Sequence, residues 1–230
     1  LTATSFTVDT TGPAVTSVSS NTSNGSYNAS DNISVTVTFN ETVVVDNSSG
    51  NPRIQLETGT TDQYATYSSG SSSNVLVFNY TVQSGDTSSD LDYKASNSFS
   101  LNSGTIKDSV SNDAILTLPS PGSSGSLSAN KSIIIDTTAP TSPSISIDNA
   151  TYSTSIALTL SATDAVGVTG YYASESSTAP SVSASGWISV SSATSYSDNV
   201  SFTLSITNED KTVYVWFKDA AGNVSTSESD

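Results

Sequence analysis

The chain has 230 residues, of which 34% are hydrophobic and 8% aromatic, enough for two small cores. Its 21 acidic and 6 basic residues give a net charge of −15, which argues against nucleic-acid binding, because phosphates must be met by basic side chains. It contains no cysteine and no histidine, so disulfides, thiolate chemistry, the usual general base and the commonest transition-metal ligand are excluded. No apolar run approaches the length of a membrane span, and membrane insertion is not predicted.

Short alternating segments predict β-strands through the first half. Residues 33–39 and 75–82 alternate apolar and polar side chains, and residues 53–57 and 132–136 are short and rich in β-formers. Clusters of Asn, Gly, Ser and Pro, such as residues 46–52, separate these segments. Because no segment shows helical periodicity, the pattern predicts an all-β fold of the sandwich kind.

The second half has the same character. Residues 156–162 and 200–206 alternate, and residues 212–217 are nearly all β-branched or aromatic, as in a central sandwich strand. The segments beginning at Gly170 and Gly186 provide the remaining predicted strands. A second β-sandwich is therefore predicted.

Two motifs occur twice and divide the chain. VDTTGP at 8–13 returns as IDTTAP at 135–140, and IKDSVSND at 106–113 is paralleled by FKDAAGNV at 217–224. We therefore predict modules at 9–136 and 137–230, with 1–8 as the end of a preceding module's last strand. The last strand of the second module is expected to be truncated, and the array to continue in both directions.

These linker and loop motifs resemble the bacterial immunoglobulin-like repeats of large surface adhesins, and the resemblance covers nearly the whole chain. It implies two tandem immunoglobulin-like β-sandwich modules within a long extender array. It also implies Ca²⁺ at the module junctions. In such a sandwich the first strand begins at the same end as the BC and FG loops, so the linker aspartate lies beside those loops. The resemblance places the BC loop of the second module at 162–167.

The resemblance implies a set of calcium ligands in each module. For the second module these are Asp136, Asp164, Asp219 and Asn223, and for the first module Asp9, Glu41, Asp108 and Asn112. The first set departs from the pattern, because glutamate replaces an aspartate and Ser-Asn replaces Gly-Asn. Clustered carboxylates would repel one another without a cation, and Ca²⁺ accepts six to eight oxygen ligands, whereas zinc prefers His and Cys.

A different interpretation assigns these aspartates to turns, since Asp and Asn side chains hydrogen-bond to the backbone of the turns they begin. Calcium is favoured for the second set as a group, whereas any one aspartate taken alone is better explained by a turn.

Other candidates have structural explanations. Asp86, Asp90 and Asp92 could form a second calcium site, but Tyr93 resembles the tyrosine corner of immunoglobulin-like folds, and the acids are then expected to be solvated. Trp216 is predicted to pack in a core, and Trp187 to pack in a core or at an edge.

The sequence contains no catalytic constellation, so an enzyme is not predicted. The leading hypothesis is an extracellular, cell-surface extender whose partners are neighbouring modules, with surface glycans contacted through other domains. One alternative is a pair of carbohydrate-binding modules of a secreted protein, which would need an exposed aromatic strip. Another is a fibre subunit, in which residues 1–8 complete the last sheet of a neighbouring chain.

Overall fold

The protein is all-β in a computed structural model that describes residues 8–147, 153–207 and 209–230. The predicted strand at 1–8 therefore lies outside the described residues, except for Val8. The chain divides into two compact units. The first unit comprises Leu1–Gly25 and Ala29–Ile135, and the second comprises Ser26–Asn28 and Asp136–Asp230.

The first unit is built around a large antiparallel sheet. The elements up to residue 136 are β1 (Val15–Ser20), β2 (Gly25–Tyr27), β3 (Asn32–Asp46), β4 (Arg53–Leu56), β5 (Gln63–Ser69), β6 (Ser73–Thr81), β7 (Thr87–Ser88), β8 (Phe99–Ser100), β9 (Thr105–Lys107), α1 (Leu127–Asn130) and β10 (Ile133–Asp136). All of them belong to the first unit except the last two residues of β2 and the last residue of β10. The strand order in the large sheet is β1-β3-β6-β5-β4-β8, and β9 pairs with the end of β3. A small sheet pairs β10 with β7.

The core of this unit follows from the alternation of β3 and β6. Ile33, Val35 and Val37 are fully buried, and they lie opposite Tyr80, Phe78 and Leu76 of β6. Burying each such side chain contributes about 1.5–3 kcal/mol. The pairing of β3 with β6 shifts between Thr38 and Val43, and this irregular stretch carries Glu41.

The second unit contains β11 (Thr141–Ile147), β12 (Ser155–Ser174), β13 (Ile188–Thr203), β14 (Tyr214–Asp219) and β15 (Glu228–Ser229). The order is β11-β12-β14-β15, and β13 also pairs with β12. The first half of β12 lies between β11 and the end of β13, whereas its second half lies between β14 and the start of β13. The pairing shifts between Thr163 and Val168, where the strand changes partners.

The core of the second unit is formed by buried side chains of β11, β12, β13 and β14. It includes Leu158, Leu160, Val168, Val215 and Phe217, all fully buried. The predicted loop at 162–167 is not a separate loop, because β12 continues through it as a distorted strand. The predicted strand at 200–206 is shorter than expected, since β13 ends at Thr203.

The sequence pattern did not predict α1. This helix has four residues, too few to show a periodicity, and it begins where the Ser126 hydroxyl accepts a hydrogen bond from the Ala129 N–H. None of the helices in the described part of the chain is long and apolar enough to cross a membrane.

Candidate metal centres

Three aspartates of the second unit meet at one point. Asp136 ends β10, Asp164 lies at the irregularity of β12, and Asp219 ends β14. One carboxylate oxygen from each lies within 4.8 Å of the others, and all three residues are buried. The fold thus brings together three acidic groups in a place with little access to water.

Each of these aspartates holds its own turn through Oδ1. Asp136 Oδ1 accepts from the Thr138 N–H (3.1 Å), and Asp219 Oδ1 accepts from the Asn223 N–H (2.9 Å). Asp164 Oδ1 accepts from the N–H groups of Val166 (2.9 Å) and Gly167 (2.7 Å). The turn-forming role that the sequence allowed is therefore present in the structure.

The Oδ2 atoms of the same three aspartates have few hydrogen-bond partners. Oδ2 of Asp136 and Oδ2 of Asp164 are buried without a hydrogen-bond partner. Oδ2 of Asp219 accepts one bond, from the Asn223 amide nitrogen at 2.7 Å. Because an unpaired buried carboxylate oxygen is strongly destabilising, this arrangement suits an added cation.

Burial and mutual repulsion also affect ionisation. The pKa of Asp219 is raised to about 6, mainly by burial and to a lesser extent by the charges of Asp136 and Asp164, while the hydrogen bonds from Asn223 act to lower it. Burial likewise raises the pKa of Asp136, with a smaller contribution from the charge of Asp164. A cation bound here would reverse both effects by favouring the charged carboxylates.

Asn223 orients two of the aspartates. Its amide nitrogen donates to the Asp136 backbone carbonyl at 2.9 Å as well as to Asp219 Oδ2. In this arrangement the amide N–H groups face the aspartates, so Asn223 acts as a positioning residue.

Gly167 is a site residue that the sequence analysis did not single out. Its φ is +133°, and an added Cβ would lie 2.2 Å from the Ser192 hydroxyl. Glycine is therefore required for the turn that holds Asp164. The spacing of aspartate and glycine in Asp164-Ala-Val-Gly167 was the available signal.

The equivalent group in the first unit has the same plan but is more open. Oxygens of Asp9, Glu41 and Asp108 also lie within 4.8 Å of one another, but Asp9 is exposed, Glu41 is half-buried and only Asp108 is buried. Asn112 donates from its amide nitrogen to Asp108 Oδ2 (2.6 Å) and to the Asp9 carbonyl (3.3 Å). This repeats the arrangement of Asn223.

The Asp108 carboxylate accepts more hydrogen bonds than that of its counterpart Asp219. Its Oδ1 accepts from the N–H groups of Val110 and Asn112, at 2.9 and 2.8 Å. Burial acts to raise the pKa of Asp108, but the hydrogen bonds from Asn112 and the neighbouring backbone outweigh it and lower the pKa. The first-unit group therefore has a weaker physical need for a cation.

The expectation that Asp86 and Asp92 are solvated is wrong. Asp86 is buried and accepts from the Tyr80 hydroxyl at 2.6 Å. Asp92 is buried and accepts from the Ser128 hydroxyl at 2.7 Å. Both carboxylates thus anchor loops, whereas Asp90 is exposed. The Tyr93 hydroxyl does bond to the backbone as predicted, although its acceptor, the Pro119 carbonyl, lies 26 residues away.

The two tryptophans pack against other aromatic rings. Trp216 is buried, with ring centroids 6.1 Å from Tyr172 and 6.2 Å from Tyr214. Trp187 is half-buried, lies edge-on to Tyr172, and has the Lys218 amine 4.8 Å above its ring. These contacts confirm that both rings take part in packing.

Comparison of the chain with protein-family models gave no match, and comparison with curated protein sequences gave none either.

Proposed function

We propose that the chain is a structural extender segment of an extracellular repeat protein of the adhesin-stalk kind, made rigid by calcium. The observation that carries the proposal is the pair of buried, unpartnered oxygens on Asp136 and Asp164, next to Asp219. A turn needs only one carboxylate oxygen from each aspartate, so turn formation does not explain why the second oxygens are buried without partners.

The donor set favours calcium over other metals. All three groups offer carboxylate oxygens, which suit hard cations, and the chain has no His or Cys to favour zinc. Calcium tolerates irregular coordination with carboxylates, carbonyls and water, whereas magnesium requires near-ideal octahedral geometry. Asp136, Asp164 and Asp219 would hold the ion, with Asn223 positioning two of them.

The position of Asp136 connects ion binding to mechanics. Asp136 belongs to the IDTTAP segment that leads into the second unit, whereas Asp164 and Asp219 belong to the strands of that unit. An ion held by all three would fix this segment to the unit that follows it. Pro140 restricts the backbone of the same segment further.

An immunoglobulin-like sandwich is the architecture we propose for the second unit. In support, the two halves of β12 pair with different strands, and β13 pairs with both halves. The five strands form one sheet whose buried side chains share a single core, and we propose that this core corresponds to the interior of an immunoglobulin-like domain. We propose the same class for the first unit, because the motif around Asp108 repeats that around Asp219.

The first test is thermal unfolding of the whole chain with calcium and with excess chelator. A ligand that binds the folded state raises the melting temperature by mass action. We expect a clear rise with calcium and a smaller one with magnesium at equal concentration. If the melting temperature does not respond to calcium, the aspartates are turn residues only and the proposal is wrong.

The second test addresses rigidity by small-angle X-ray scattering of the wild type and of Asp136→Asn. We expect calcium to narrow the distribution of interatomic distances in the wild type and to leave the variant unchanged. The exposed Asp90 provides the matched control, since Asp90→Asn makes the same chemical change elsewhere. An equal response in both variants would count against the linker role of Asp136.

A further inference from the structure

The second unit has a long free strand edge. Within the described residues, β13 pairs only with β12, so its other side has no strand beside it. β13 is 16 residues long and mostly exposed. Such an edge presents unpaired N–H and C=O groups to any other strand, and natural proteins usually protect it.

The register of β12 and β13 shows which backbone groups face outward. The Leu204 N–H donates to the Thr154 carbonyl, and the pairing then runs without a shift to Thr163 opposite Ser195. Bonded and non-bonded pairs alternate along an antiparallel ladder, so the even-numbered residues of this stretch bond to β12. The residues that turn their backbone groups to the open side are Ser195, Ser197, Asn199, Ser201 and Thr203.

These five residues are self-complementary about Asn199. If a second copy approached by a twofold rotation, antiparallel pairing would place Ser195 opposite Thr203 and Ser197 opposite Ser201. Every outward group would then meet an outward group of the other copy. β13 also contains a single charged residue, Asp198, in a chain of net charge −15. A second copy of this chain is therefore the occupant that the edge fits best.

Asp198 opposes this pairing in two ways. Its Oδ1 accepts a hydrogen bond from the Asn199 N–H at 2.8 Å, which occupies the central outward donor. In the twofold arrangement the two Asp198 side chains would also be diagonal neighbours on one face, about 7 Å apart, where like charges repel. We propose that Asp198 guards the β13 edge and prevents copies of this chain from joining edge to edge.

The test compares the wild type, Asp198→Thr and the matched control Asp90→Thr by sedimentation velocity over a wide range of protein concentration. We expect the wild type and the control to remain monomeric. We expect Asp198→Thr to dimerise, with a dissociation constant at least about tenfold lower than that of the wild type. Asp198→Asn keeps an acceptor for the Asn199 N–H but removes the charge, and its dissociation constant should lie between those of the wild type and Asp198→Thr. If the threonine variant does not fold, Asp198→Asn tests the proposal in its place.

A second substitution locates the dimer contact. Ser201→Pro removes an outward N–H that β12 does not use, and proline is tolerated at strand edges. Added to Asp198→Thr, it should restore the monomer. The proposal is overturned if folded Asp198 variants stay as monomeric as the control, if the wild type already dimerises, or if the dimer persists with Ser201→Pro.

Discussion

Asp164→Asn separates the two roles of a site aspartate. Asparagine retains an Oδ1 that can accept the hydrogen bonds from Val166 and Gly167, so the turn is kept. The substitution removes one negative charge from a group whose oxygens lie within 4.8 Å of one another. It should therefore change the electrostatics of the site with little effect on the local backbone.

The size of the effect follows from this distance. Two unit charges within 4.8 Å repel by about 3 kcal/mol at an effective dielectric constant of about 20. After relaxation of the site, we expect the free energy of unfolding in chelator to rise by about 1–3 kcal/mol. For a unit of this size, each kcal/mol raises the melting temperature by about 4–8 °C.

Calcium should reverse the order of stability. At a hundredfold excess over the dissociation constant, a bound ion stabilises the wild type by about 2.7 kcal/mol. The variant should lose most of this increment, so that it is more stable than the wild type in chelator and less stable in calcium. The assay is thermal unfolding followed by circular dichroism, with Asp90→Asn as the control. If Asp164→Asn is unchanged in both conditions, Asp164 acts only as a turn residue.

Three further predictions address ionisation, the turn and a loop anchor. Because the pKa of Asp219 is raised from an ordinary 3.8 to about 6 in the folded state, the folded protein binds the proton more tightly, and stability in chelator should fall as pH rises from 4 to 6. The free energy of unfolding should fall by up to about 3 kcal/mol. Denaturant unfolding curves measured over this pH range would contradict the prediction if the free energy of unfolding stayed constant or increased. Gly167→Ala should destabilise the second unit more than Gly85→Ala destabilises the first. Both glycines have a positive φ, but only at Gly167 would the added methyl group meet a side-chain oxygen, at 2.2 Å. Equal shifts in melting temperature would show that this steric clash is unimportant. Tyr80→Phe removes the hydroxyl that donates to buried Asp86 and should cost about 1–3 kcal/mol in urea unfolding, whereas no loss would mean that water replaces the bond.

The sequence predicted the strands best where one face is buried. Residues 33–39 and 156–162 alternate because every second side chain enters a core, and both lie within observed strands. The pattern failed in residues 162–167, because a polar and glycine-containing stretch is typical of a loop, whereas β12 continues through it and its pairing with β13 is interrupted only between Thr163 and Val168. Pairing between distant strands is a property of the fold, and local composition does not encode it.

The sequence also placed the acidic residues in two groups, and the structure brings the same carboxylates together in each unit. It did not predict that the second group is buried with unpartnered oxygens while the first is more open. The depth of a side chain depends on the chain segments packed around it, which a motif of four or five residues does not specify. Asp86 and Asp92 were misjudged for the same reason, since their burial depends on partners such as Tyr80 and Ser128.

In Asp136 and Asp164 one carboxylate oxygen forms the turn and the other has no partner. This difference has a consequence for how the sequences of such units could diverge. A change from aspartate to asparagine at Asp136 or Asp164 would retain the oxygen that shapes the turn and replace the one that has no hydrogen-bond partner. The backbone would tolerate the change, so such variants would accumulate without loss of folding. Neighbouring repeats could then keep one shape while differing in their response to the ionic composition of the medium, and stiffness could vary along a chain of otherwise equivalent units.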